Sequence, residues 1–339
     1  MPETLSLTVL TARDGGKSRT IKVNHPASIQ SAIDSALPGS TIIVSAGTYA
    51  ENLLITKDRL TLISHGATLA PPASPTPNAC TDFFGPGTSA GICVAGSGLQ
   101  LAPFIGQEHS KVLSVTKPVR HVSVSGFTVS GFNGANILVV GAVDTKVSKN
   151  TLTNGYIYGL LAAGSKGTLL SGNTVSVGAE MGFIAICADD FRDARVVENS
   201  ISTYIVGLCV QTDRAEVRAN SVTNSCFGAF VDPFVDGARI IGNKLTSGNP
   251  VCAGITNGTF GVFVDGAANS RVEKNLISGM DPLGVFITDD PCTTGGLACS
   301  TRPGQAAVAS GNVVKNNKFE GNRFDAFSNS AGAGNVIVV

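Results

Sequence analysis

From residue 147 onward, one pattern recurs seven times: an aliphatic residue, two others, Asn, one other, and then a further apolar residue. It passes through Asn150, Asn173, Asn199, Asn220, Asn243, Asn275 and Asn317, at spacings of 23, 26, 21, 23, 32 and 42 residues. Periods of this size signal a solenoid in which each repeat packs only on its neighbours. The shorter spacings read as one turn of a β-helix, the longer ones as one turn plus a loop. Asn is a poor strand former, but it tolerates left-handed backbone and hydrogen-bonds its surroundings. At one corner of successive coils the amides can stack and bond up a ladder. These Asn residues are therefore read as structural rather than catalytic.

A second strand follows each Asn. It begins at Gly159, Gly207, Gly228, Gly261 and Gly284, with Ala185 taking the Gly position in the rung that carries Cys187. One and three residues after the Gly stand small aliphatics: Leu208 and Val210, Val262 and Val264, Val285 and Ile287. These are expected to face inward. Because strand side chains alternate, the second and fourth positions then face outward. The second position gives Cys187, Cys209, Phe230, Phe263 and Phe286; the fourth gives Asp189, Gln211, Asp232, Asp265 and Thr288. Coils lie ~4.8 Å apart, so an aromatic ladder is expected beside an acidic and polar one. The alternative, with Phe in the core, would also turn Asp232 and Asp265 inward without partners, at several kcal/mol each. A further alternative is that the acids are merely solvated.

The first hundred residues differ. Ile29, Ala32, Ile33 and Ala36 have helical spacing, with Pro38-Gly39 as a stop, and an amphipathic helix here would cap the solenoid. The stretch from Ser28 to Ile33, then Pro38 to Val44, then Gly47-Thr-Tyr-Ala-Glu-Asn52 and Leu60-Thr-Leu62, resembles the opening of pectate-lyase-like right-handed β-helix proteins. The later Asn-bearing rungs resemble the carbohydrate-binding and sugar-hydrolase repeats of that superfamily. The resemblance implies an all-β fold: a single right-handed parallel β-helix with an N-terminal capping helix, over residues 1–339. Within it we expect a cap and first coils at 1–67, a Cys-containing insert at 68–110, and repeat coils at 111–339 with loops at 246–259 and 289–309. Members of the superfamily include polysaccharide lyases, glycoside hydrolases, epimerases and proteins with no known activity. No catalytic motif of any one family is found, so no catalytic residue carries over.

Charge and cysteine narrow the partners. Lys and Arg total 24, as do Asp and Glu, and there is no basic stripe interleaved with aromatics, which argues against nucleic acid. No apolar run approaches the ~20 residues of a membrane span. The N-terminal residues 1–19 lack the apolar centre of a signal peptide, so the chain reads as cytosolic or as a mature form. Eight cysteines in a solenoid of this size favour an oxidising, secreted setting, as does one sequon, Asn257-Gly258-Thr259. Eight cysteines allow 105 pairings; several small buried thiols are the alternative. Position favours Cys80 with Cys93, Cys187 with Cys209, Cys226 with Cys252, and Cys292 with Cys299, the second pair occupying one column on neighbouring coils. The cysteines lack zinc spacing, and neither a cofactor nor a metal is expected. Lys146, Arg195, Arg239 and Arg271 align four residues before the repeat Asn on another sheet, and read as a solvated face.

Chemistry is expected outside the solenoid, over the Phe and Asp columns, with the inserts as walls. Asp232, Asp265 and Asp189 are the catalytic candidates, since stacked carboxylates raise one another's pKa and can divide acid and base roles. Phe230, Phe263, Phe286, Gln211 and Thr288 are the substrate-binding candidates. All four His (His25, His65, His109, His121) precede the Asn-bearing rungs, which argues against a His-based site on this face. Three functions stay open. The first is an enzyme for a small, largely apolar molecule (dehydration, isomerisation or cyclisation, as in a natural-product hetero-Diels–Alderase), favoured by the Phe-lined face. The second is a carbohydrate-active hydrolase, lyase or epimerase using Asp232 and Asp265. Against parts of it stand the absence of Trp and an acidic face without the Arg or Lys that uronates require, but a neutral-sugar hydrolase using Asp232 and Asp265 survives both objections. The third is a non-catalytic surface protein. Substrate and oligomeric state are not readable from the sequence.

Overall fold

The structure, a computed structural model, describes residues 8–10 and 19–339, apart from 107, 179, 247, 294 and 295. The N-terminal stretch read above for a signal peptide lies largely outside the described residues.

The chain winds into a solenoid of short strands in parallel, in-register stacks. One stack carries the strand before each repeat Asn, such as Lys146–Ser148, Leu169–Ser171 and Arg195–Val197. Another carries the strand after it, such as Thr151–Thr153, Thr174–Ser176 and Ser200–Ser202. The third is a ten-stranded sheet running from Leu53–Ile55 to Phe324–Ser328 and holding every Gly-led strand. The Asn ladder occupies the corner between the first two stacks. The backbone N–H and the side-chain Nδ2 of Asn199 both donate to Oδ1 of Asn220, at 2.9 Å each. Asn220 repeats this onto Asn243, and Asn243 onto Asn275. Each Nδ2 also donates to a carbonyl one coil back, as Asn220 does to Val196 at 2.9 Å. Every amide is thus consumed by the scaffold, as a buried polar group requires.

The interior is the aliphatic filling expected. Val262, Val264, Val285 and Ile287 are fully buried within one continuous core. The leading Gly of each rung faces the same interior: a Cβ on Gly261 would collide with the Ile277 side chain and the Gly284 carbonyl. At the N-terminal end the helix Ile29–Ser35 buries Ile29, Ala32 and Ile33 against the first coils. Ser28 caps it, and the Glu51 carboxylate accepts from the Ile29 and Gln30 amides at 2.9 Å each, where an anion suits the helix start.

A second apolar cluster lies outside the third stack. There Cys80, Phe83, Phe84 and Val112 pack on the outward side chains Leu138, Val140, Leu161, Cys187 and Cys209. The insert therefore folds over the N-terminal part of the outer face, held partly by the antiparallel ribbon of Ser97–Leu101 with Val112–Lys117. Four disulfides join Cys80 to Cys93, Cys187 to Cys209, Cys226 to Cys252, and Cys292 to Cys299, the pairs that position favoured.

Candidate functional site

The outward columns start as the alternation predicts. Cys187, Cys209, Phe230, Phe263 and Phe286 follow one another in register, and Asp265 pairs with Thr288 one coil on. The Phe residues, however, pack mainly on one another. Phe230 stacks on Phe263 with ring centroids 5.1 Å apart, Phe286 stacks on Phe327, and Phe227 and Phe260 fill the edges. None of them lines the cleft described next.

That cleft, of about 220 Å³, opens where the insert ends and the polar column is uncovered. Asp189, Gln211 and Asp232 form its floor, Lys111 one wall, and Thr301 and Arg302 of the 289–309 loop another. Asp189 is almost wholly buried, and its two oxygens are taken by Lys111 Nζ and, at 3.0 Å, by His109 Nε2. Burial alone would raise its pKa. Lys111, followed by His109, outweighs that and holds the Asp189 carboxyl below the ordinary carboxylate value. His109 Nδ1 lies 3.0 Å from the Tyr158 hydroxyl, and the ring stacks on Phe83. Tyr158 stays protonated, because burial and then the Glu108 carboxylate push its pKa up.

Asp232 stands in a contrasting environment. The Gln211 side-chain amide donates to it at 3.3 Å and to Glu108 at 2.7 Å, so Gln211 clamps two carboxyl groups. Burial, and then the Glu108 charge, push the Asp232 carboxyl well above the ordinary range, against a smaller lowering by Gln211. Two neighbouring carboxyls are thus driven in opposite directions, an arrangement that in other sites divides acid and base roles. The Oε1 atom of Gln211 is buried without a protein partner among the described residues.

Asp265 is placed differently. It faces Asp290 of the 289–309 loop rather than the cleft, and burial and then the Asp290 charge raise its carboxyl to about 7. Thr288 follows it, likewise outside the cleft lining.

Sequence order, which argued against a His-based site here, does not keep His off this face. His109 precedes the Asn rungs in sequence, but the insert carries it back over the third stack onto Asp189. The face is not purely acidic either, since inserts deliver Lys111 and Arg302 to it. Sequence reasoning also missed Tyr158, the outward residue just before a leading Gly, and Glu108. The charged and polar run Glu108-His-Ser-Lys111, at the end of an insert whose other charged residue is Asp82, was the available signal. The turn after Asp232 adds a structural feature to the same cleft. Phe234, whose ring carries the Arg302 guanidinium at 4.5 Å, has φ of 67°. A bulky residue in that left-handed region is strained, and such strain concentrates at functional sites.

Among the described residues, the group of His, Cys, Asp and Glu atoms close enough to share a metal is Asp290 with Cys292 and Cys299. Those two sulfurs are bonded to each other, so they are not free to act as ligands.

A family model described as a right-handed β-helix region matches residues 185–339. No curated protein matches the sequence. Among solved structures, an alginate lyase from Paenibacillus superposes with a TM-score of 0.62 at 14% identity, covering 91% of this chain and 99% of that one. The A-module of a mannuronan C-5 epimerase from Azotobacter vinelandii gives 0.52 at 11% identity, with 90% and 94% covered. A DFA-IIIase from Arthrobacter chlorophenolicus gives 0.50 at 12%, with 83% and 74% covered. The fold is a right-handed parallel β-helix. At these identities the likeness speaks for fold alone.

Proposed function

We propose that the chain is a secreted enzyme acting on a saccharide by acid–base chemistry in the cleft floored by Asp189, Gln211 and Asp232. The observation that carries this reading is the split pair of carboxyls facing one polar hollow: burial and Glu108 push the Asp232 carboxyl up, while Lys111 and His109 hold the Asp189 carboxyl down. In this role Asp232 donates a proton to the oxygen or carbon centre that gains charge. Asp189 fixes Lys111 and His109, and Lys111 with Arg302 holds a negative or oxygen-rich group of the substrate. The unpartnered Gln211 Oε1 suits a sugar hydroxyl as donor. The solved structures of similar fold include an alginate lyase, a mannuronan epimerase and a DFA-IIIase, which supports a saccharide over other small molecules. Four disulfides support secretion. The reading as a cyclase for a small apolar substrate loses its footing, because the walls of the cleft are charged and the Phe ladder packs on itself outside it.

The test is turnover of a polysaccharide panel (alginate, polygalacturonate, a neutral β-glucan and inulin), read as new reducing ends, unsaturated products or epimerised units. Asp232→Asn keeps the shape and removes the proton, and is expected to slow turnover ~10²–10⁴-fold. Full activity in Asp232→Asn, or no turnover on any member of the panel, would overturn the proposal.

A further inference from the structure

The cleft is smaller than the ~300–1,000 Å³ usual for ligand pockets, yet it is not isolated. Phe191, an exposed ring on its rim, also walls a neighbouring hollow of about 250 Å³ that contains Arg120, Lys166 and Arg192. Lys166 and Arg192 in turn form one side of a groove of about 500 Å³, whose other side holds Arg195, Arg214 and Arg239. Five basic side chains face three acidic ones there (Asp144, Asp193 and Glu216), although the whole chain is neutral. Among the described residues only Arg192 of the five makes an ion pair, an exposed one with Asp193 at 3.5 Å. The other four are free to meet an outside anion.

The solenoid sets the order of these charges. Arg120, Val143, Lys166 and Arg192 occupy one column on successive coils. Lys146, Leu169, Arg195, Glu216, Arg239 and Arg271 occupy a parallel column three residues further along each coil. Charges therefore recur in steps of one or two coils, ~4.8 Å each, along a straight track. A stiff polymer with an anion on each unit matches this, whereas a single small anion needs no such row. The groove lining has no aromatic ring, and the single ring of Phe191 at the cleft end gives no succession of stacking platforms for nucleic-acid bases.

We infer that this flank, running from the cleft across Phe191 to Arg239, is a docking track for an anionic polysaccharide, whose reacting unit enters the cleft while distal units lie on the basic columns. The inference rests on the cleft being a saccharide site and adds that the saccharide is charged. The column read from sequence as a merely solvated face is thereby given a ligand.

Binding is measured on the full chain, independently of turnover, with polygalacturonate, dextran sulfate and neutral dextran, in low salt and above ~0.15 M, where exposed charges are screened. We expect one of the two anionic glycans to bind in a salt-dependent way, the tighter one distinguishing a carboxylate from a sulfate ester, and neutral dextran not to bind. The variant Lys166→Ser/Arg195→Ser/Arg239→Ser is expected to lose about tenfold in affinity, since three exposed charge contacts are removed. Equal binding by the triple variant, equal binding of neutral dextran, or equally tight binding of single-stranded DNA or phosphatidylserine vesicles would overturn the track. If glycans are turned over but the triple variant still binds them fully, the track fails and the cleft reading stands. If binding is lost in the triple variant but no glycan is ever turned over, the track stands and the cleft reading fails.

Discussion

Replacing Asp190 with Asn should make the protein more stable at pH 8 and leave it nearly unchanged at pH 4. Asp190 lies one residue beyond Asp189, is 5% exposed, and has no hydrogen-bond partner for either carboxylate oxygen among the described residues. Burial raises its carboxyl from 3.8 to about 7. Because the folded pKa lies above the unfolded one, the folded chain keeps this proton longer. The contribution to stability is therefore fully present below pH ~4, falls as pH climbs toward 7, and levels off above that. At 1.36 kcal/mol per pH unit, the loss across that window is about 4 kcal/mol. Asn cannot ionise and avoids it. Asp232 and Asp265 also titrate high, but they are common to both proteins and cancel in the difference. Urea unfolding of parent and Asp190→Asn at half-unit steps from pH 4 to 8.5 measures the gap. A gap that stays constant with pH would refute the reasoning, and would mean that Asp190 finds a partner or water when ionised.

Further outcomes follow from the same geometry. Asn220→Ala removes four side-chain hydrogen bonds and orphans the Asn199 N–H, which should cost about 2–4 kcal/mol of stability by urea unfolding. Lys111→Met leaves the buried Asp189 carboxylate with His109 alone. Stability at pH 7 should drop by about 3 kcal/mol, and less below the ordinary carboxylate range, where Asp189 can take up a proton instead.

How much of this was visible in the residues depends on whether they obey the repeat. Asn199, Asn220 and Asn243 recur at a coil's spacing, so their ladder could be read directly, as could the inward Val262 and Val264 and the register of Cys187 on Cys209. Asp189, Gln211 and Asp232 could be placed in one column for the same reason. His109, Lys111 and Glu108 belong to an insert with no period. Only the packing of Phe83, Phe84 and Val112 on the outer face decides where it returns, and that is a tertiary choice. Arg302 arrives by a second such loop. Asp265 obeys the repeat and still lies away from the cleft, because the loop bearing Asp290 covers it. Periodicity therefore fixed the floor of the site and was silent on its walls.

The Asn ladder has an evolutionary consequence. Its bonds join residues 21 to 42 positions apart with the same geometry, so each rung is indifferent to how much chain intervenes. Loops such as 246–259 and 289–309 leave between rungs. They can lengthen, shorten or exchange side chains without retuning the coils on either side. The walls of the cleft can therefore drift toward new substrates while the floor holds still, and a lineage of such solenoids can change what it acts on by editing loops alone.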